Sequence, residues 1–132
     1  MNGIYVLIIQ ISHDITVQVG ALGKLTFTKG LYAYVGSAQG NLEQRVHRHL
    51  RKEKRNFWHV DYLLDNPSAK ILEVFYKQAA KAEECTVAQT ISKRGMLVAG
   101  FGASDCQCKS HLFLVKTYGF LREFMHVLDV ET

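Results

Sequence analysis

The sequence predicts an α+β fold: a small twisted antiparallel sheet of three core strands plus additions, flanked by helices. Two observations predict this class. The first 35 residues contain apolar or alternating runs separated by short polar turns, a pattern typical of antiparallel strands. From residue 41 onwards apolar residues recur at three- and four-residue intervals, which indicates helices. With 132 residues, 48% of them hydrophobic, and one proline, the chain has the length of one well-cored domain.

The predicted strands of the N-terminal part follow one another closely. Gly3–Ile11 is apolar on both faces, as expected of a strand in the middle of a sheet. Alternating residues predict strands at 15–19 and 24–28, and a further short strand is predicted at 31–35. Because the connections between them are short, we expect these strands to pair in chain order as a meander.

The next segment predicts a helix that places two basic side chains beside a strand end. Asn41 is a good N-cap for a helix that begins at Leu42. The buried stripe of this helix is predicted to consist of Leu42, Val46 and Leu50. Arg45 and His49 are one turn apart and lie together beside that stripe. We therefore place the candidate active site at this edge of the core.

The remaining elements complete the predicted fold. They are a short helix over 57–64 capped by Asn56 and closed before Pro67, a strand over 69–77, a helix over 79–94 ended by Gly95, a strand over 112–115, and a closing amphipathic helix with Leu121, Phe124, Met125 and Leu128 on one side. Within the short helix, Trp58 is interpreted as a buried anchor of the fold.

The helix predicted over 79–94 carries a carboxylate in its apolar stripe. Glu84 shares its spacing with Val87, Ala88 and Ile91, which are all apolar. An unpaired buried carboxylate costs several kcal/mol, so Glu84 needs a partner: an arginine, a backbone cap or a metal ion. A salt bridge to Arg45 without any metal is one alternative. The neighbouring Glu83 is expected to point away into solvent.

The positive charge of the chain is concentrated in one segment. The net charge is +4, yet residues 45–55 alone hold six Lys or Arg against one acid. These basic residues are Arg45, Arg48, Arg51, Lys52, Lys54 and Arg55. Such a segment suits a polyanion, and the phosphate backbone of nucleic acid is the expected partner. A solvated helix face is the alternative interpretation.

Composition also bears on location. No apolar run reaches the roughly 18 residues that a membrane span needs. The N-terminal apolar run lacks the basic flank and the cleavage site of a signal peptide. We therefore expect a cytoplasmic protein with no membrane partner; the sequence does not define an oligomeric state.

The three cysteines allow two interpretations. An odd count argues against a closed disulfide framework and predicts reduced thiols. Cys106, Cys108 and His111 form a possible zinc site, with Cys85 as an additional candidate ligand. The alternative is a tight polar loop packed beside Glu84, in which Ser104 and Asp105 act as caps.

Two tripeptides and the helix behind the second one resemble the GIY-YIG endonuclease superfamily. The tripeptides are Gly3-Ile4-Tyr5 and Tyr34-Val35-Gly36, followed at the family's spacing by Ser37, Leu42, Arg45 and His49. Valine replaces the middle isoleucine of the second tripeptide. The resemblance covers Gly3 to about Ile91, so we expect one GIY-YIG-like domain over residues 1–132 with a C-terminal extension after about residue 95.

This resemblance implies a metal-dependent endonuclease that hydrolyses phosphodiester bonds, with DNA as the expected substrate. The implied catalytic residues are Tyr5, Tyr34, Arg45, His49 and Glu84. Glu84 is implied to hold Mg²⁺ or Mn²⁺, Arg45 to clamp a phosphate oxygen, and Tyr5 to accept a proton from water, directly or through His49. The nucleic-acid-binding candidates are Arg48, Arg51, Lys52, Lys54, Arg55 and His59.

Two other function classes remain open at this point. A non-catalytic nucleic-acid-binding module would keep the basic helix but needs no divalent cation. A structural or interaction domain stabilised by a Cys/His metal site would depend on the cysteines and not on Tyr5 or Arg45.

Overall fold

The computed structural model describes residues 1–51, 54–103 and 108–129. Within them, four strands are followed by two helices, a fifth strand, a third helix and three further short strands. In order they are β1 (Gly3–Ile11), β2 (Ile15–Gln18), β3 (Lys24–Phe27), β4 (Gly30–Ala38), α1 (Leu42–Leu50), α2 (His59–Leu64), β5 (Ala69–Lys77), α3 (Glu83–Ser92), β6 (Gly95–Leu97), β7 (Leu112–Val115) and β8 (His126–Val127), with 3₁₀ turns at Gly20–Leu22 and Gly119–Glu123. The α+β class is thereby confirmed. Among the described residues, no helix is both long and apolar enough to cross a membrane.

The main sheet is larger than the predicted core of three strands. Six strands pair in the order β6-β7-β4-β1-β5-β8, and every pairing is antiparallel. β1 lies in the interior of this sheet, as its two apolar faces predict. The predicted meander is wrong, because β1 pairs with β4 and β5, while β2 and β3 form a separate hairpin. Every second residue of β2 is half-buried and the others are exposed, so β2 suits a hairpin that packs on one face of the main sheet.

The core lies on both sides of the sheet. Alternate residues of β1 point to opposite faces. Tyr5, Leu7 and Ile9 pack with residues of α1, α2 and the β2–β3 hairpin. Ile4, Val6 and Ile8 pack against α3 and the 3₁₀ turn before β8. The central strand is thus enclosed in apolar contacts, which gives the site at its end a rigid support.

The predicted helix start at Leu42 is confirmed. The side chain of Asn41 accepts a hydrogen bond from the backbone N–H of Gln44 at 3.1 Å. The predicted cap at Asn56 is wrong, since α2 begins at His59. Asp61 reaches back to the backbone N–H groups before the helix and caps it instead.

The later helices also depart from the prediction. α3 begins only at Glu83, and Gly95 does not cap it but opens β6. The predicted closing helix is wrong as well: after one 3₁₀ turn the chain extends and β8 pairs with β5. β5 offers unpaired backbone N–H and C=O groups on its outer side, and residues 126–127 pair with them as β8. The local periodicity of a segment does not indicate that such a pairing partner is nearby. Residues beyond 95 are part of the main sheet through β6, β7 and β8.

Candidate active site at the ends of β1 and β4

Two tyrosines stand close together because β1 and β4 are paired. Tyr5 lies opposite Gly36, and Leu7 lies opposite Tyr34, so both tyrosines point to the same face of the sheet. A Cβ atom at position 36 would overlap the ring of Tyr5. Glycine is therefore needed at this position, and it lets the Tyr5 ring lie across the backbone of β4.

α1 starts just after β4 and brings Arg45 and His49 to the tyrosines. The hydroxyl of Tyr5 is hydrogen-bonded to Nε2 of His49 at 2.8 Å. Arg45 donates from Nη1 to the backbone carbonyl of Ser37 at 3.1 Å. This bond ties the guanidinium to the end of β4, and the predicted pair is in place at the edge of the core.

Trp58 supports the arginines of α1. The guanidinium carbon of Arg45 lies 4.4 Å from the centroid of the indole ring, and that of Arg48 lies 4.6 Å from it. The ring of His49 lies 5.7 Å from Trp58, centroid to centroid. Trp58 is half-buried, so the predicted anchor also forms a cation–π platform that limits how far Arg45 can move.

Asp61 is the carboxylate at the centre of the interactions behind the site, and its side chain is fully buried. Arg48 binds it bidentately, with N–O distances of 3.0 and 3.1 Å. The backbone N–H groups of Phe57 and Trp58 donate to it at 2.8 and 2.9 Å. Burial alone would raise the pKa of Asp61, but the His49 ring, the Arg48 guanidinium and these N–H groups hold its pKa well below the usual range.

His49 connects Asp61 to Tyr5. Its Nδ1 lies 3.7 Å from Oδ1 of Asp61, beyond hydrogen-bond distance, and has no hydrogen-bond partner among the described residues. Burial lowers the pKa of His49 below its ordinary value, although the Asp61 carboxylate opposes this shift. The ring is thus neutral at neutral pH. With its proton on Nδ1, facing Asp61, Nε2 accepts the hydrogen bond from Tyr5.

Both tyrosines are protonated at neutral pH. Burial raises the pKa of Tyr5 well above its ordinary value, and the positive charge of Arg45 counters this only in part. Burial likewise raises the pKa of Tyr34, as do the nearby ionisable groups Tyr5, Glu84 and Asp61. A free phenolate is therefore unfavourable at either position, and any proton transfer from Tyr5 needs an acceptor.

Glu84 lies in the first turn of α3, on the side that the sequence predicts. It is 9% exposed and shares the buried side of α3 with Val87, Ala88 and Ile91. Its Oε1 lies 3.9 Å from Nδ1 of His111. The adjacent Glu83 points away: its side chain is 47% exposed and pairs with Lys77 at 3.3 Å.

A cleft of about 300 Å³ brings these side chains together. Its lining includes Tyr5, Tyr34, Arg45, Trp58, Lys81 and Glu84. Four of the five predicted catalytic residues thus face one space, and the fifth, His49, lies behind Tyr5 at hydrogen-bond distance. A cleft with basic groups and one carboxylate can hold an anion together with a cation.

The predicted nucleic-acid-binding residues separate into two groups. Arg51 and Arg55 are exposed at and after the end of α1. Arg48 is held by Asp61, and the ammonium of Lys54 donates to the carbonyls of His49 and Arg51. Of these four basic residues, Arg51 and Arg55 are therefore the two whose charge is presented to solvent. The fifth basic candidate, Lys52, lies outside the described residues.

His59 is a structural contact in this arrangement. Its Nδ1 accepts a hydrogen bond from the backbone N–H of Gly102 at 2.8 Å. Its ring packs against Phe101, which in turn packs against Tyr34. His59 therefore holds the 98–103 segment over the site.

The cysteine-containing segment lies beside Glu84. Cys85 and Cys108 form a disulfide with a Cα–Cα distance of 6.0 Å, so the expectation that all cysteines are reduced is wrong. Three cysteines still allow one disulfide and one remaining thiol. Cys85, Cys108 and His111 form a cluster of possible metal ligands, with Cys85 in the role of additional candidate. Cys106 and the predicted caps Ser104 and Asp105 lie outside the described residues.

Asp61 is one of two residues of the candidate site that the sequence interpretation missed. The available signal was an acid between Val60, Leu63 and Leu64, which are all buried in α2. A carboxylate among apolar residues needs a partner, and the same reasoning that selected Glu84 applies to Asp61. Lys81 was also missed, since nothing in its local pattern places it at the cleft.

Comparisons with known proteins define the family of this chain. No curated protein and no solved structure matches it significantly. A family model described as "Domain of unknown function DUF123" matches residues 4–129, from the first strand to the residues after β8. This match includes the cleft and the cysteine-containing segment. The chain therefore belongs to the DUF123 family of domains.

Proposed function

We propose that this protein is an endonuclease of the GIY-YIG type, which hydrolyses phosphodiester bonds of nucleic acid in a reaction that depends on Mg²⁺ or Mn²⁺. The observation that supports it most is the cleft that Tyr5, Tyr34, Arg45 and Glu84 line together. These residues come from four separate parts of the chain. The resemblance in sequence selects the same four residues without any knowledge of the distances between them, and DNA is the expected substrate.

The donor set of the cleft fits a hydrated divalent cation. Mg²⁺ binds oxygen ligands, keeps several waters and commonly uses one or two protein carboxylates plus a substrate phosphate. Glu84 supplies one carboxylate at the edge of a space large enough for waters and a phosphate. When bound, the cation would neutralise charge on the phosphate and assist the leaving oxygen. Mn²⁺ prefers the same kind of ligands.

Tyr5, His49 and Asp61 offer a path for the proton of the attacking water. Tyr5 accepts a proton from water while its own hydroxyl proton passes to Nε2 of His49, 2.8 Å away. The imidazolium that forms lies 3.7 Å from the Asp61 carboxylate, which stabilises its charge. No free phenolate accumulates on this path, so the raised pKa of Tyr5 does not prevent it.

Arg45 and Tyr34 complete the proposed roles. Arg45 binds a non-bridging phosphate oxygen, and its bond to Ser37 and its contact with Trp58 restrict its orientation. Tyr34 orients the water or the phosphate from within the same cleft. Arg51 and Arg55, exposed beyond α1, contact the nucleic-acid backbone outside the cleft.

Replacement of Glu84 tests the proposal, and Glu83 supplies a matched control. Glu84→Gln keeps the size of the side chain but removes its charge. It should lower Mg²⁺-dependent cleavage by roughly 100-fold or more, because a bound cation supplies several kcal/mol of transition-state stabilisation. Glu83→Gln should cleave normally. The assay uses duplex, branched and single-stranded DNA and RNA with Mg²⁺, with Mn²⁺ and with a chelator.

Two further outcomes decide between function classes. Arg45→Ala should reduce cleavage with either cation while leaving cation binding nearly unchanged. If Glu84 serves only as a salt-bridge partner of Arg45, Glu84→Gln should instead lower the free energy of unfolding. The loss would be roughly 3 kcal/mol for a truly buried pair. Salt-sensitive binding without cleavage of any substrate in the panel would favour a non-catalytic nucleic-acid-binding module. Cleavage by Glu84→Gln at the wild-type rate would rule out this site as a nuclease centre.

A further inference from the structure

Three soft-ligand side chains meet at the first turn of α3, and none of them lines the cleft. Cys85 lies in the first turn of α3, Cys108 lies four residues before β7, and His111 directly precedes β7. Their ligand atoms all lie within 4.8 Å of one another. Two thiolates and one imidazole form a donor set that zinc prefers, and three protein ligands leave one of four coordination positions open.

The distance between the His111 imidazole and the Cys85 sulfur suits a metal ion shared by the two side chains after reduction of the disulfide. Nε2 of His111 lies 3.9 Å from Sγ of Cys85. Tetrahedral zinc with its usual Zn–S and Zn–N bond lengths places a sulfur and a nitrogen ligand about 3.6 Å apart. A shift of a few tenths of an ångström would therefore bring both atoms to coordination distance.

His111 is held in a defined orientation for this role. It is 1% exposed, its backbone N–H donates to the carbonyl of Phe101 at 2.8 Å, and its carbonyl accepts from the backbone N–H of Val35 at 2.8 Å. Its second ring nitrogen, Nδ1, faces Oε1 of Glu84 at 3.9 Å. At 3.9 Å the two groups are not hydrogen-bonded, but the carboxylate lies on the side of the ring where a carboxylate partner of a zinc-bound histidine is commonly found.

The structure also offers an entry path. Cys108 is half-buried and lines a second cleft, of about 280 Å³, together with residues of α3 and β7. Ions can thus approach the cluster from outside without opening the core.

We propose that Cys85, Cys108 and His111 form a zinc site in the reduced chain, and that this site and the Cys85–Cys108 disulfide are mutually exclusive states. Two equivalents of a thiol reductant supply two electrons, which convert the disulfide to two thiols and the reductant to its own disulfide. Zinc binding then releases the two thiol protons, because thiolates are the ligands. The site does not depend on the proposed nuclease activity.

Zinc binding to the purified protein tests this proposal in both redox states. Protein reduced with a phosphine, which supplies the same two electrons and becomes a phosphine oxide, should bind one Zn²⁺ per chain in a titration against a chromophoric chelator. Protein oxidised to the disulfide should bind none at that affinity. Co²⁺ added to the reduced protein should produce thiolate-to-metal charge-transfer absorption, and Zn²⁺ should protect Cys85 and Cys108 from alkylation, measured on their peptides by mass spectrometry.

Single substitutions assign the ligands. Cys85→Ser, Cys108→Ser and His111→Gln should each weaken Zn²⁺ binding by about 100-fold or more, since loss of even an outer partner of a zinc ligand costs 10- to 100-fold. His13→Gln, at an exposed histidine after β1, should have no effect. The alkylation and Co²⁺ measurements on the wild-type chain need no variant, so they remain decisive if a variant fails to fold. Equal Zn²⁺ binding by reduced and oxidised protein, or alkylation of both cysteines at an unchanged rate with Zn²⁺ present, would overturn the proposal.

Discussion

At the scale of single residues, Asp61 determines what His49 can do. It is buried, and Arg48 and two backbone N–H groups already neutralise and bind it. Its carboxylate nevertheless remains close enough to His49 to favour a proton on Nδ1. That tautomer leaves Nε2 free to accept the proton of Tyr5. The proposed role of Tyr5 therefore depends on a carboxylate that never touches it.

The proposed proton transfer to His49 predicts how cleavage would depend on pH. Only the neutral ring can accept the Tyr5 proton, and burial lowers the pKa of His49 below its ordinary 6.5. Cleavage should therefore persist as the pH falls to 6.5 and decline only below it. The measurement is kcat/KM from pH 8 downwards, with substrate binding followed separately. A decline that begins above pH 6.5 would contradict a proton-accepting role of buried His49, and His49→Gln should remove the acidic limb along with most of the activity.

At the scale of elements, α1 presents different faces to different partners. Leu42 and Val46 pack on the sheet, and Arg45 and His49 serve the cleft. Arg48 is bound to α2 through Asp61. The exposed charge that remains in the described part of this region is carried by Arg51 and Arg55, at and after the C-terminus of the helix. Fewer basic side chains of residues 45–55 can therefore contact a phosphate backbone than the charge of this segment suggests.

This division of the basic residues predicts how salt would affect the proposed nucleic-acid binding. The double variant Arg51→Glu with Arg55→Glu should weaken binding and lower the dependence of log K on log salt by about 0.9 for each duplex phosphate that the protein no longer neutralises. Lys24→Glu with Lys29→Glu is the matched control, since these exposed lysines lie in and after β3 and the net charge changes equally. The affinity of each double variant for duplex DNA, measured over a series of salt concentrations, shows which pair of residues contributes to the salt dependence. Equal slopes in both double variants would mean that the end of α1 makes no specific contact.

At the scale of the whole molecule, the Arg48–Asp61 pair joins α1 to α2 over one face of the sheet. The side chain of Asp61 is fully buried, and that of Arg48 is 22% exposed. Removal of either side chain therefore leaves the other as a largely buried charge without its ion-pair partner, which is unfavourable. Asp61 also caps α2, so it holds Trp58 in the position where Arg45 packs on it. The same pair therefore supports both the fold and the cleft.

Unfolding experiments can measure this contribution. Asp61→Asn should lower the free energy of unfolding at neutral pH by roughly 3 kcal/mol, near the low end of the range for buried pairs because Arg48 is partly exposed. Since the pKa of Asp61 is lower in the folded chain than its ordinary 3.8, its contribution is present above pH 3.8 and is lost as the pH falls towards the folded value. The variant should therefore lose less stability in acid than the wild type.

A matched pair of arginine variants completes this test by urea unfolding. Arg48→Met should destabilise the protein, whereas Arg55→Met, at an exposed side chain, should change the free energy of unfolding by no more than about 0.5 kcal/mol. Equal effects of the two substitutions would show that the pair with Asp61 contributes nothing beyond a surface contact.

Local pattern alone predicted a large part of this protein. β1 as an interior strand, the start of α1 at Leu42 and the buried position of Glu84 were all correct. β1 and Glu84 were predicted from the apolar residues on one strand or helix, and the start of α1 from its capping residue. Both kinds of signal come from residues only a few positions apart in the sequence. The selection of Tyr5, Tyr34 and Arg45 as one site came from the sequence resemblance, and these residues line one cleft.

Other features depended on contacts between distant parts of the chain. The pairing of β1 with β4, the extended β8 in place of a helix, and the disulfide between Cys85 and Cys108 each join segments at least 19 positions apart. Local periodicity can state that a segment is extended or buried, but not which partner it meets. The sequence by itself therefore determined which side chains face inwards, and only the tertiary structure decided that Asp61 stands behind His49, because a buried charge takes its partners from whatever elements pack around it.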